Sequence, residues 1–428
     1  MNITKYRCNY EREPLSAPFG FKGGYLSELW QTIAEFEDAD GNIGLGLGLQ
    51  SVLWSDGDVF GRFPEAVGNS IMFLTTAFAM EMAKDVKWAT PIELLDNILP
   101  QVYERSKLVA DTPDLRLTFA LNAMVATDNA AWLLYAQSRG ISSFDELVPE
   151  EYRSGLSVKH DKLVNIPLIT YNVTPEAIGK MANDGFCFLK IKVGSDPDKD
   201  GDRAKMVEWD KQRLAEIHNI VKDVKTPYTD SGYIAYYLDA NGRYDSKERL
   251  MELLDYADEI GALERILILE EPFPEEMKVD VSDIPARVAA DESAHSDKDA
   301  LERIELGYTA IALKPIAKTV SMSLKIAKLA VERNIPCFCA DLTVNPIMVD
   351  WNKNFAARLP VLPGMKIGVV ESNGAQNYKN WDAMTSYHPC AGAPWISSKA
   401  GIYELDDDFY KQSGGIFQVS EHYKSLIS

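Results

Sequence analysis

Cysteine and histidine are scarce in this chain, with five of each in 428 residues. Cys8, Cys187, Cys337, Cys339 and Cys390 include no C-x-x-C pair and are too few for a disulfide framework. His160, His218, His295, His388 and His422 never stand four apart, so zinc-type chemistry has no support. Positive charge is also in deficit: 44 Lys+Arg against 64 Asp+Glu leave a net charge of −20. A chain this acidic, without a basic run, repels phosphate backbones and anionic lipid surfaces, which disfavours nucleic-acid and membrane partners. Long apolar runs are missing too. The longest, around Ile71 to Met82, is too short to span a bilayer, and MNITKYRCNYEREPL holds no apolar signal core, so a cytoplasmic location is expected.

What is present is an ordinary globular composition, 46% hydrophobic and 25% charged, enough for one large or two medium domains. Residues 1–150 differ in texture from the rest. An alternating pattern around Asp38-Ala39-Asp40-Gly41 predicts a hairpin; its glycine is misplaced for a calcium loop. GLGLGL at 44–49 lacks a βαβ setting, so it predicts a strand and not a dinucleotide site. Helices follow over Pro91 to Val109 and from Thr112-Pro113-Asp114 onward, and the sum is an α+β domain. From Asn165 eight short apolar runs alternate with amphipathic helical stretches, the pattern of a (β/α)8-type TIM barrel over 151–399. The segment 400–428 is expected to pack back on the N-terminal domain. Cys337 and Cys339 share one strand face and read as buried thiols in preference to metal ligands.

In such a barrel a charge at a strand's C-terminal end points into the mouth. Lys190 and Lys192 share one face of the second strand, Asp239 ends the third, Glu270 the fourth, Asp291 the fifth and Lys314 the sixth. Three carboxylates on successive strands repel one another and need compensation, and hard oxygen ligands of this kind suit Mg²⁺. The bland alternative is a set of strand-end charges paired across the barrel.

The ordered run K-I-K, L-D-A-N-G, L-E-E-P-F, A-D-E-S and A-L-K-P resembles the enolase superfamily. Within it the match is to the mandelate racemase/muconate lactonizing enzyme family, in its muconate-lactonizing and dipeptide-epimerase branch. The N-terminal part, down to A-T-D-N-A-A-W, resembles that family's capping domain. The resemblance implies that Asp239, Glu270 and Asp291 bind one Mg²⁺ and that Lys192 and Lys314 face each other across the substrate. Lys190 would be their electrostatic neighbour, Glu271 a barrel-mouth carboxylate beside the ligands, and Asn241 an aid in ordering the site. Three features depart from the family pattern: Thr319-Val320 replaces a glycine pair, Glu371-Ser372-Asn373 replaces Asp-x-Asp, and Thr226 to Gly232 is an insertion.

The activity so implied is abstraction of the proton next to a substrate carboxylate, through an enediolate, with racemisation or epimerisation as the leading outcome. Proximity of Lys190 and the metal is expected to lower the pKa of Lys192 so that it can act as a base. Dehydration of an acid sugar or hydroxy acid, or cycloisomerisation, could run on the same groups, and a catalytically dead binding relative is the non-enzymatic alternative. Loops Phe19 to Tyr25 and Gln50 to Trp54 are expected to close over the mouth. The substrate contacts so expected are Phe19, Gln50, Trp54, Asn241 and Glu371. A small-molecule carboxylate is the expected partner, and a homo-oligomer the expected assembly.

Overall fold

The computed structural model describes residues 1–21 and 24–427. Lys22 and Gly23, the tip of the first expected loop, lie outside the described residues. Three antiparallel strands open the chain: β1 (Ile3–Phe21), β2 (Gly24–Asp38) and β3 (Ile43–Gln50), in the order β1-β2-β3. Asp38 makes the β2–β3 turn by accepting the backbone N–H groups of Asp40 and Asn42, both at 2.9 Å, while Gly41 takes φ 82°. The Asp-rich segment is thus a self-satisfied turn.

The glycines of β3 have a packing purpose that alternation alone does not reveal. Gly44, Gly46 and Gly48 face the Leu117–Arg139 helix, where a Cβ on Gly46 would sit 2.2 Å from Ala126 O and from Ala130 N. Bare backbone lets helix and strand touch, and Asn122 and Asn129 donate across the seam to Leu49 O and Leu47 O, each at 2.8 Å. Those bonds satisfy carbonyls on the edge strand of the sheet. Gly46→Ala is expected to cost at least ~1–3 kcal/mol, seen as a lower urea midpoint, because helix backbone has nowhere to move. The helix starts at Leu117, later than Pro113, because the Asp56 carboxylate takes the Arg116 N–H (3.0 Å) and Leu115 closes a turn onto Thr112 O.

The second sheet holds β4 (Lys162–Ile166), β5 (Leu168–Ile169), β6 (Phe188–Lys192), β7 (Ala235–Asp239), β8 (Ile266–Glu270), β9 (Val288–Ala290), β10 (Ala310–Leu313), β11 (Cys337–Cys339), β12 (Gly368–Glu371) and β13 (Ile402–Glu404). Their order is β13-β4-β12-β11-β10-β9-β8-β7-β6-β5. β4 and β5 are one strand interrupted at Pro167, so β4 pairing with β12 and β5 with β6 closes a barrel of parallel strands. β13 adds an antiparallel strip outside β4. Cys337 and Cys339 are buried free thiols in the barrel wall. The Thr226–Gly232 insertion precedes β7 and bonds to Gly364 and Lys366, at the barrel end away from the mouth.

The N-terminal sheet and helices meet the barrel through buried polar contacts: Gln31 to Tyr378 (2.8 Å), Asn345 to Gln31 (2.9 Å) and Trp132 to Ser321 (3.0 Å). The C-terminal segment touches both parts, with Ser413 accepting from Phe144 N–H, His422 against Glu11, and β13 on the barrel. At the junction the Asp128 carboxylate accepts Ser321 N–H (3.1 Å), and burial pushes its pKa from 3.8 up to about 7, with the Ser321 bonds opposing. A raised carboxyl pKa gives stability that is full below about pH 4 and lost as pH rises through about 7. Asp128→Asn should remove that part of the pH dependence of the urea midpoint between pH 4 and 8. Among the described residues no helix is long and apolar enough to cross a membrane.

Candidate active site

Eight parallel strands place the second (β6) and the sixth (β10) opposite each other across the barrel. Lys192 ends the former and Lys314 follows the latter. Each lysine pairs with the acid on the strand beside it, toward β8. Lys192 Nζ lies 2.6 Å from Asp239 Oδ2, and Lys314 Nζ contacts Asp291 Oδ2. Glu270 stands between the two pairs on β8. Lys190, one layer deeper, reaches Asp239 (2.9 Å), Glu270 (3.3 Å) and Glu371 (3.1 Å). All seven of these expected residues are buried, with Asp239, Glu270 and Asp291 at 0% exposure.

Burial and neighbouring charge pull these groups apart. Burial pushes Glu270 up to about 8, Asp291 adding to the effect and Lys190 opposing it. For Asp239 the same burial is outweighed by Lys190 and Lys192, which hold it down at about 2. Asp291 is likewise held well below the carboxylate range by Lys314 and Lys318 in spite of burial. Burial would discharge Lys190 and Lys314, but Asp239 and Glu270 for the first, Asp291 and Glu270 for the second, raise both and keep them ammonium ions.

Oxygens of Glu270, Asp291 and Glu292 lie within 4.8 Å of one another; Asp239, the third expected ligand, pairs with Lys190 and Lys192, as Asp291 does with Lys314 and Lys318. Glu292 turns inward because the chain leaves the strand at Ala290, and Asn241 Nδ2 donates to its Oε1 (2.9 Å) while Asn241 Oδ1 accepts from Lys192 (2.6 Å). A buried, all-oxygen donor set with Glu271 Oε1 lacking a hydrogen-bond partner fits a hard divalent cation. The other oxygen of Glu271 accepts Asp291 N–H (2.7 Å) and the Ser293 hydroxyl (3.0 Å), so this residue props the loop that carries Asp291.

A narrow cavity opens over the lysines and is roofed by the N-terminal domain through Phe19, Leu26, Leu29, Ser51 and Trp54. The Trp54 ring lies 4.6 Å from Lys314 Nζ. Of the expected substrate contacts, Phe19, Trp54, Asn241 and Glu371 line this cavity. Gln50 is a correction: it is wholly buried against the Glu65–Asp85 helix, near Thr76, and the next residue, Ser51, takes the lining position.

Lys318 and Asp341 were not singled out from the sequence. Asp341 follows β11 in the same strand-end pattern as the others and accepts Asn373 N–H (2.8 Å), so its signal was available. Lys318, at 0% exposure, binds Asp291 Oδ1 (3.1 Å) and Ala294 O (3.1 Å), and nothing but its spacing from Lys314 hinted at this. Backbone strain gathers here: Asn241, Glu271, Thr319 and Thr343 have φ of 44°, 42°, 74° and 61°. Thr319 replaces the family's glycine yet holds that conformation, its hydroxyl capping the Val320–Glu332 helix at Met322 N–H (3.1 Å).

Fold and site together define a parallel β/α barrel capped by an N-terminal α+β domain, a fold similar to that of solved enolase-superfamily structures. Residues 174–365 match the family model described as Enolase C-terminal domain-like. A mandelate racemase/muconate lactonizing protein from Herpetosiphon aurantiacus aligns over 95% of this chain and 96% of its own, with a TM-score of 0.63 and 18% identity. Dipeptide epimerase from Enterococcus faecalis V583, solved with Mg and L-Leu-L-Tyr, covers 95% and 98% at a TM-score of 0.64 and 18% identity. The L-Ala-D/L-Glu epimerase from Bacillus subtilis covers 90% and 91% at 0.58 and 19%. At these identities the likeness is one of fold. No curated protein matches the sequence significantly.

Proposed function

We propose that this protein is a Mg²⁺-dependent enzyme that removes and returns the proton next to a substrate carboxylate, acting as a racemase or epimerase. The observation that carries the proposal is the pair Lys192 and Lys314 on opposite strands, each against a carboxylate, under one cavity roofed by the N-terminal domain. Glu270 and Asp291, with Glu292 or Asp239, would hold the ion, which when bound neutralises the charge that builds on the substrate carboxylate as its proton leaves. The chain's own residues do the rest. One lysine takes the proton from one face, and the lysine opposite delivers a proton to the other face. Leu26, Leu29 and Trp54 exclude water, and Asn241 holds Lys192 in place. The dipeptide epimerases among the structural neighbours are in keeping with an amino-acid-like acid as substrate.

Proton NMR in D₂O, with a panel of carboxylic acids and Mg²⁺, tests this. Exchange at the α-carbon without net loss of a group is the expected result. Loss of a hydroxyl would turn the assignment to a lyase, and inertness across the panel would remove the enzymatic reading.

A further inference from the structure

The Arg203–Val221 helix, which connects β6 to β7, buries a stripe of Met206, Val207, Leu214, Ile217 and Val221. Asp210 stands in that same stripe at 0% exposure, where the helical period calls for an apolar side chain. In the middle of the helix it caps nothing of its own. Burial pushes its pKa from 3.8 up to about 7, with bonds from Tyr244 and Gly194 opposing. A buried carboxylate is costly, and what offsets the cost is what this one reaches.

Asp210 Oδ2 accepts two bonds, from the Gly194 N–H (2.7 Å) and from the Tyr244 hydroxyl (2.7 Å). Gly194 follows Lys192 at the exit of β6, and Tyr244 follows Asp239 and Asn241 at the exit of β7. One oxygen therefore ties together the exits of the two strands that carry Lys192 and its partners. Val193 N–H still bonds Asp239 O (3.0 Å), but at Gly194, with φ 78°, the chain turns out of the ladder and side chains take over. The β7 exit is in turn fixed to that of β8, where Gly242 N–H donates to Glu271 O (2.6 Å) and Tyr244 N–H to Pro272 O (3.0 Å). These anchors hold Asn241 at its strained φ of 44°, and its Oδ1 meets Lys192 Nζ at 2.6 Å. Lys314, across the barrel, is set by other groups: its partner Asp291 is held by Lys318 (3.1 Å) and by Glu271, which accepts the Asp291 N–H (2.7 Å). Asp210 thus bears on one lysine of the pair.

We propose that Asp210 is a positioning residue for Lys192: by holding Gly194 and Tyr244 on one oxygen it fixes the spacing of the β6 and β7 exits, and so aims the Lys192 amine at the substrate face it serves. This rests on the reaction proposed above. An ionised carboxylate only accepts hydrogen bonds, so an N–H and an O–H can share it with no donor left over. Proton transfer is sensitive to such placement, since a shift of about 1 Å costs roughly 10²-fold in rate.

The test is deuterium exchange at the α-carbon of each separated stereoisomer of a substrate found in the acid panel, with Lys192→Ala marking the isomer that Lys192 serves. In that isomer Asp210→Ala should lower kcat by roughly 10²-fold with KM unchanged. Tyr244→Phe, which removes the hydroxyl alone, should lower it by about tenfold, the size of one hydrogen bond to a charged group. Asp210→Asn keeps an oxygen acceptor and should lose less than Asp210→Ala. Exchange from the isomer served by Lys314 should hold at the parent rate in all three. If Asp210→Ala does not fold, Tyr244→Phe decides by the same comparison. Equal losses in both isomers, as a merely structural role would give, a change in KM alone, or no loss in either isomer would overturn the proposal and leave the reaction standing. A parent protein inert toward every acid removes the reaction, and the role of Asp210 with it.

Discussion

Lys192→Ala is expected to abolish α-proton exchange from one stereoisomer of a true substrate while some exchange from the other persists, and Lys314→Ala should do the reverse. The expectation follows from placement: β6 and β10 lie four strands apart in a ring of eight, so the two side chains approach the cavity from opposite sides. Either change should stop full racemisation, with a loss of roughly 10²–10⁴-fold for the affected half-reaction. The measurement is deuterium incorporation into each separated stereoisomer. If one lysine proves dispensable, a one-base elimination becomes the better account. If both are dispensable with a genuine substrate, the assignment of the bases is wrong even where the carboxylates are right.

The second large effect concerns Lys318, which the reaction does not touch. Its ammonium is fully enclosed, donates to Asp291 O and Ala294 O, and forms an ion pair with Asp291 Oδ1 at 3.1 Å. Lys318→Met keeps much of the volume and removes the charge, stranding a buried carboxylate with one ammonium partner fewer. Breaking a buried pair from one side costs about 3–5 kcal/mol. Urea unfolding followed by circular dichroism should show a loss of this size, with partial recovery in Lys318→Arg. A variant as stable as the parent would mean that Asp291 is already neutralised by Lys314 alone.

The strand-end charges could be read from the amino-acid order because parallel barrel strands are short, buried and regular in period. With a repeat of two, Lys190 and Lys192 must share a face, and a charge closing an apolar run has only the mouth to go to. The hairpin turn, the barrel helices and the buried thiols follow from equally local rules. Glu292 did not, because a strict alternation turns it away from Asp291. Only where the strand stops at Ala290 does the chain bend enough to bring both acids inward. Gln50 failed for the same kind of reason: which of two adjacent residues looks into the cavity depends on the helix packed against the strand.

Left to itself, then, the order of residues determined what repeats over two or four positions: the strands and helices, the hinge points at Gly41 and Pro167, and the acids and lysines carried by consecutive strands. Tertiary structure decided which of those charges meet. The Asp239–Lys192 and Asp291–Lys314 pairs join residues 47 and 23 positions apart, and Asn345 meets Gln31 across 314. It also decided that Gly44, Gly46 and Gly48 serve a helix that begins at Leu117. The physical reason is range. Backbone geometry and hydrophobic period act between near neighbours, whereas pairing in a dry interior acts between whatever barrel closure and the overlying domain bring within a few ångströms.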